Sequence, residues 1–162
     1  MTSVTTIDAL VRTTAQAEKR WFYGGGVHTW LATSQDTGGA YLLFHDVMER
    51  GKRTPLHTHP TEESIYLVDG EILVHMDGTE HQLTTGGLMI APREVPHAFL
   101  VVSDTASILT FHTPGSSQPF YFGASEPLAD DTERVVDFDR VMASAEAHGG
   151  IEILGPPPFP AG

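Results

Sequence analysis

The 162-residue chain contains no cysteine. Disulfides and thiolate metal sites are therefore excluded, and any metal would have to be held by imidazole and carboxylate. Positive charge is scarce as well: nine Lys and Arg against 21 Asp and Glu leave a formal net charge of −12 with His neutral. The basic residues are scattered along the sequence, which argues against nucleic acid or an anionic membrane surface as a partner. Long apolar runs are missing too. No stretch approaches a membrane span, and the N-terminus has neither a basic n-region nor an apolar h-region, so a soluble cytoplasmic protein is expected.

What the sequence does have is punctuation. Sixteen Gly and eleven Pro are spread along it, the composition of a chain with many turns and many short strands. Between Trp21 and about Phe122, short apolar runs recur at Val27–Ala32, Ala40–Met48, Ser64–Val68, Glu71–Met76, Leu88–Ala91, His97–Val102 and Ser107–His112. Turn signals separate them, among them Asp36-Thr37-Gly38-Gly39, Asp69-Gly70 and Gly86-Gly87. Asp77-Gly78 between two strand-like runs predicts a type I′ hairpin. The spacing predicts an all-β sandwich or barrel in a single domain spanning residues 1–162, with its core at about 21–122.

The flanks read differently. Thr6–Lys19 predicts a short, weakly amphipathic helix with Ile7, Leu10 and Val11 on one face. Asp137–His148 predicts a better one, with Asp137 as N-cap, Gly149-Gly150 as the stop and Phe138, Val141, Met142 and Ala145 as the packing stripe. His148 would sit at its C-terminus and complement the helix dipole. The run Gly155-Pro-Pro-Pro-Phe-Pro160 can form neither a helix nor a central strand, so an extended surface tail is expected within the segment at about 126–162.

Chemistry concentrates in two segments. In the first, His57 and His59 are two apart, so on an extended backbone both rings leave the same face and can converge on one ion. Glu63 opens the next strand and shares a face with Ile65 and Leu67, which places a carboxylate on an inward apolar stripe. Such a carboxylate needs a partner, and a metal bound by two nearby histidines would be one. In the second segment His97, Phe99 and Val101 alternate on one face after the proline-rich turn Pro92-Arg-Glu-Val-Pro96. Three His and one carboxylate suit Fe, Mn, Ni, Co, Cu or Zn.

Gly51 to Gly70 reads G-x5-H-x-H-x3-E-x6-G, and Gly86 to Val101 has Gly86, Pro92 and His97 in register with G-x5-P-x-G-x2-H-x3-N. These segments resemble the two motifs of the cupin superfamily. Glu94 stands where the second motif has glycine, and Val101 where it has asparagine. The resemblance implies a double-stranded β-helix (jelly-roll) barrel with an N-terminal arm and a C-terminal helix, commonly a homodimer. It also implies one divalent transition metal ion on His57, His59, Glu63 and His97. Trp21-Phe22 before a Gly-rich turn, Asp36 to Ala40, Ala91 to Phe99, Pro114-Gly115 and Phe120-Tyr121-Phe122 resemble single-domain cupins of the quercetin 2,3-dioxygenase type.

That likeness implies a dioxygenase acting on a small aromatic or enolic compound, with dioxygen as co-substrate and Glu63 as both ligand and base. A non-oxidative isomerase, cyclase or decarboxylase on the same ion stays open. So do a non-catalytic small-molecule-binding module and a closed structural zinc site. His28, His45, His75, His81 and His112 are read as hydrogen-bonded or exposed, with His45 and His112 singled out as weak candidates for orienting a ligand. Glu62 should be solvated by alternation. Tyr41, Tyr66, Phe44, Phe99, Phe111 and Met89 are assigned to the core or a pocket wall. Trp21, Trp30 and Phe120-Tyr121-Phe122 are assigned to packing or dimer contacts.

Overall fold

The computed structural model describes residues 7–160. After a 3-10 turn at Thr14–Gln16 the chain enters β1 (Glu18–Phe22), β2 (Val27–Ala32) and β3 (Leu42–Glu49). β4 (Leu56–Thr58) and β5 (Glu62–Asp69) follow, then β6 (Glu71–Met76) and β7 (Thr79–Thr84). β8 (Leu88–Ala91), β9 (His97–Val101) and β10 (Thr105–Thr113) complete the central stretch. The C-terminal part adds α1 (Gln118–Gly123), β11 (Ser125–Pro127), α2 (Phe138–His148) and β12 (Glu152–Gly155). Among the described residues no helix is long and apolar enough to cross a membrane.

The strands form two antiparallel sheets, ordered β11-β1-β2-β3-β10-β5-β8 and β12-β4-β9-β6-β7. From β3 to β10 the chain winds back and forth between them, which is the double-stranded β-helix expected from the motifs. Alternation makes this arrangement stable. Along β10, Ala106, Ile108, Thr110 and His112 are buried while the residues between them are not. The inner faces of both sheets supply one core, with Ile65, Leu67 and Ile108 from one and Ile72, Val74 and Val101 from the other. The β6–β7 hairpin turns at Asp77 and Gly78, with φ of 48° and 81°; this is the pair of left-handed residues a type I′ turn requires.

Three expectations need correction. The described part of Thr6–Lys19 is not a helix. Beyond the 3-10 turn its end belongs to β1, because Trp21 and Phe22 gain more by burial in the sheet than a weakly amphipathic helix could offer. The proline-rich tail is not merely superficial: Gly155 closes β12 against β4, and Phe159 is buried. Helix α2 forms with its Asp137 cap accepting from Arg140 N and with Gly149 at φ 65°, but its buried stripe is Val141 and Ser144. Phe138 and Met142 remain exposed because α2 meets the barrel along a narrower strip than the apolar pattern suggests.

The core makes a quantitative demand. Ile108→Ala, at a side chain with 1% exposure, should lower unfolding free energy by about 2–5 kcal/mol in urea titrations. Val11→Ala, at 97% exposure, should change it by less than about 0.5 kcal/mol.

Candidate functional site

The short strand β4 pairs with β9 so that His57 faces His97 directly, and β12 holds β4 from its other edge through Ile153 opposite His57. On the other sheet β5 pairs with β10, setting Glu63 opposite His112. His59 follows β4 at the turn that leads into β5. The turn before β9 is tied to it, since Glu94 N donates to His59 O at 2.9 Å. Glu94 adopts φ 63°, so this turn keeps the left-handed residue that the motif glycine would supply, at the expense of some backbone strain.

Each of the three expected histidines is oriented by a carbonyl two residues away. His57 Nδ1 donates to Pro55 O at 2.7 Å, His59 Nδ1 to Thr61 O at 2.8 Å and His97 Nδ1 to Val95 O at 2.8 Å. A carbonyl only accepts, so Nδ1 carries the proton and each Nε2 presents a lone pair. The inward nitrogens of His57, His59 and His97 lie within 4.8 Å of one another. Glu63 Oε1 is 3.3 Å from His97 Nε2 and 3.9 Å from His59 Nε2. His59 Nε2 and His97 Nε2 are buried and have no hydrogen-bond partner. Neutral lone pairs aimed at one point beside a carboxylate are what a divalent cation needs, so the residues fit such an ion. All four residues marked from the sequence are thus brought together, and all are buried.

The structure adds two residues. His112 Nε2 donates to Glu63 Oε2 at 2.6 Å, and His112 Nδ1 accepts from Thr61 Oγ1 at 2.8 Å. His59, Glu63 and His112 form a second group with ligand atoms close enough to share an ion. Of the two weak candidates, His112 is therefore at the site, while His45 lies on the outer face of β3 between the inward Phe44 and Asp46. The Tyr121 hydroxyl, assigned from sequence to packing or a dimer contact, lies 3.0 Å from His112 Nε2. Helix α1 folds back over the barrel end, a tertiary event with no local signal beyond aromatic content. Glu62 is exposed as expected.

Above the cluster opens a pocket walled by Phe44, Phe99, Phe120 and Tyr121 and reaching His57 and Glu63. Phe44 and Phe99 thus belong to the pocket, and Met89 to the core. Tyr41, Tyr66 and Phe111 do neither. Tyr66 is exposed, and Tyr41 packs on Phe111, half-buried and outside the core, because residue 111 is out of phase with the inward residues 110 and 112.

Burial, aided by neighbouring His97, pushes His57 down to about 3, and burial likewise takes His59 to about 4. Burial also works against charge on Glu63, but His112 outweighs it and holds the carboxyl well below its usual range. Burial opposes charge on His97 too, and there the adjacent Glu63 prevails and raises it. Burial, with the charges of Glu63 and Asp46, keeps Tyr121 a neutral phenol. Below the ordinary histidine value of 6.5, the unfolded chain therefore takes up protons on two histidines that the fold keeps neutral, against one that it favours. Chelator-treated protein should be most stable above pH 6.5 and lose stability steadily toward pH 4.5, read as a falling urea midpoint. An unchanged midpoint would contradict this account.

Comparison with known proteins agrees with this geometry. Residues 44–112, running from Phe44 to His112, match the family model described as a Cupin domain. The chain is 24% identical over 133 residues to a quercetin 2,3-dioxygenase of Bacillus subtilis, covering 79% of this chain and 40% of that protein. It is 33% identical over 90 residues to the polyketide synthase CurC of Streptomyces cyaneus, covering 55% of this chain and 58% of that one. The chain spans less than two thirds of either relative. An RmlC-like cupin from Shewanella frigidimarina superposes with a TM-score of 0.59 at 20% identity, covering 66% of this chain and 92% of that one. The two-sheet winding, the motif histidines and this match agree that residues 44–112 carry a cupin domain and that the chain has the cupin fold.

Proposed function

We propose that His57, His59, Glu63 and His97 hold one divalent transition metal ion, and that the protein is a dioxygenase of a small aromatic or enolic compound. The observation that carries this reading is the pair of buried, unpartnered Nε2 atoms on His59 and His97 beside Glu63, at the end of an aromatic pocket. A divalent metal held by these residues would supply Lewis acidity. The rest falls to the chain. Phe44 and Phe99 orient a flat substrate and exclude water, which strengthens every charge interaction at the site. Glu63 receives the proton of the substrate hydroxyl, and His112 and Thr61 fix the carboxylate that receives it. Both atoms of dioxygen enter the organic product, so no external reductant is required.

A second reading rests on the likeness to a polyketide synthase: the same base and ion would enolise a substrate for a non-oxidative ring closure. Oxygen uptake with a flavonol, with label from isotopic dioxygen in the product, supports the first reading; anaerobic turnover of a polyketide-like enol supports the second. Elemental analysis of protein purified without chelators should find about one metal ion per chain. His57→Ala and His97→Ala should lose it, while His112→Ala should weaken binding by about 10–100-fold. Metal-free wild-type protein would sink the proposal.

We also propose a homodimer through the outer face of the seven-stranded sheet. Val47, Tyr66, Val68, Leu88 and Ile90 are exposed there. In a chain of net charge −12, the middle of this face is apolar, with Glu49 and Glu62 only at its strand ends, so two copies can meet there with little repulsion. Leu88→Asp should convert a dimer to a monomer in light scattering; a monomeric wild type would refute the dimer.

A further inference from the structure

A second polar group in the pocket plays no part in the metal site. β2 and β3 pair so that His28 stands opposite Asp46, and both side chains point into the barrel with 2% and 3% exposure. The His28 ring is sandwiched between Phe22 at 4.8 Å and Phe44 at 4.2 Å, nearly parallel to both. This stacking fixes the imidazole edge-on to the carboxylate, with Nε2 3.4 Å from Asp46 Oδ2. The two remaining heteroatoms, His28 Nδ1 and Asp46 Oδ1, are buried and have no hydrogen-bond partner in the protein. Leaving buried polar atoms unpaired is costly, so a fold that keeps one on each member of a facing pair calls for a ligand group.

The surroundings point the same way. His28 and Asp46 line the same pocket as Glu63 and His57. Gly26 sits at φ 122°, and a Cβ there would clash with Asp46 Oδ1, so only glycine can pass this close to that carboxylate. Lys52 donates to Gly25 O at 2.6 Å and lies over the Phe22 ring, so its ammonium is engaged with this turn. Asp46 Oδ2 can only accept, so it favours the His28 tautomer with its proton on Nε2, which leaves a lone pair on Nδ1. The pair then offers two acceptors and no donor. An acceptor pair of this kind takes a hydroxyl and rejects a carboxylate or a bare carbonyl.

We propose that Asp46 and His28 form a hydroxyl-recognising subsite that selects substrates with a phenolic O–H remote from the enol that meets Glu63. The inference rests on the enolic-aromatic reading of the site and narrows it to polyhydroxylated aromatics. The substrate would bridge the pocket, one hydroxyl at Glu63 and another donating to Asp46 Oδ1, with Phe44 and Phe99 against its ring faces.

Binding of two flavonols to the metal-loaded full-length protein under nitrogen separates this proposal from the reaction it serves. Quercetin carries hydroxyls remote from the enol; 3-hydroxyflavone carries none. Wild-type protein should bind quercetin at least about tenfold more tightly by calorimetry, the ordinary worth of one hydrogen bond to a charged group. In Asp46→Ala this preference should collapse toward unity, and in Asp46→Asn, whose neutral amide oxygen still accepts, it should fall to between the Ala and wild-type values. Affinity for 3-hydroxyflavone and metal content should stay at wild-type levels. Equal binding of the two flavonols by wild type, or a preference that survives both substitutions, overturns the subsite while leaving the proposed function intact. Failure of wild type to bind either compound overturns the enolic-aromatic reading and this inference with it.

Discussion

A carboxylate buried in an apolar barrel is the constraint around which this molecule is arranged. Glu63 has 5% exposure on a strand whose other inward residues are Ile65 and Leu67. An unpaired charge there would be prohibitive, and the fold answers with histidine on three sides: His59 at the adjoining turn, His97 from the facing sheet and His112 from the neighbouring strand. Each neighbour needs its own support. Backbone carbonyls of Pro55, Thr61 and Val95 take the outward ring protons, and Thr61 Oγ1 serves His112. The site is thus a network satisfied on its outer side and open on its inner side, where lone pairs converge.

That network explains why short or irregular pieces of chain matter. β4 is three residues long, yet it is held on both edges, by β9 and by β12. The C-terminal strand therefore stabilises a histidine almost a hundred residues earlier in the chain. Helix α1 closes the barrel end and brings Tyr121 over His112, so the same segment caps the core and completes the site. Aromatic side chains then do two jobs in the pocket. They form its walls, and they lock the His28 imidazole in the plane that faces Asp46.

The apolar residues divide into two sets by strand parity. One set fills the interior. The other, including Tyr66, Leu88 and Ile90, covers the outer face of the larger sheet, and composition alone does not distinguish the two. A one-residue difference in phase sends Phe111 outward and His112 inward. This is why the aromatic residues are less legible in the sequence than Glu63 and His97, whose parity is set by strongly apolar neighbours.

By itself the sequence determined the strand-rich class, the hairpin at Asp77-Gly78, the capped helix after Asp137 and the inward direction of His57, His59, Glu63 and His97. All of these follow from local rules: alternation, turn chemistry and capping act over a few residues and can be read in order. Only the tertiary structure decided that His112 and Tyr121 join the cluster, that His28 faces Asp46, that Thr14–Phe22 becomes a turn and a strand, and that the proline-rich tail anchors through Phe159. Those outcomes depend on sheet register and on segments returning from far along the chain. Burial against such distant partners outweighs weak local preference, so no window of neighbouring residues contains them.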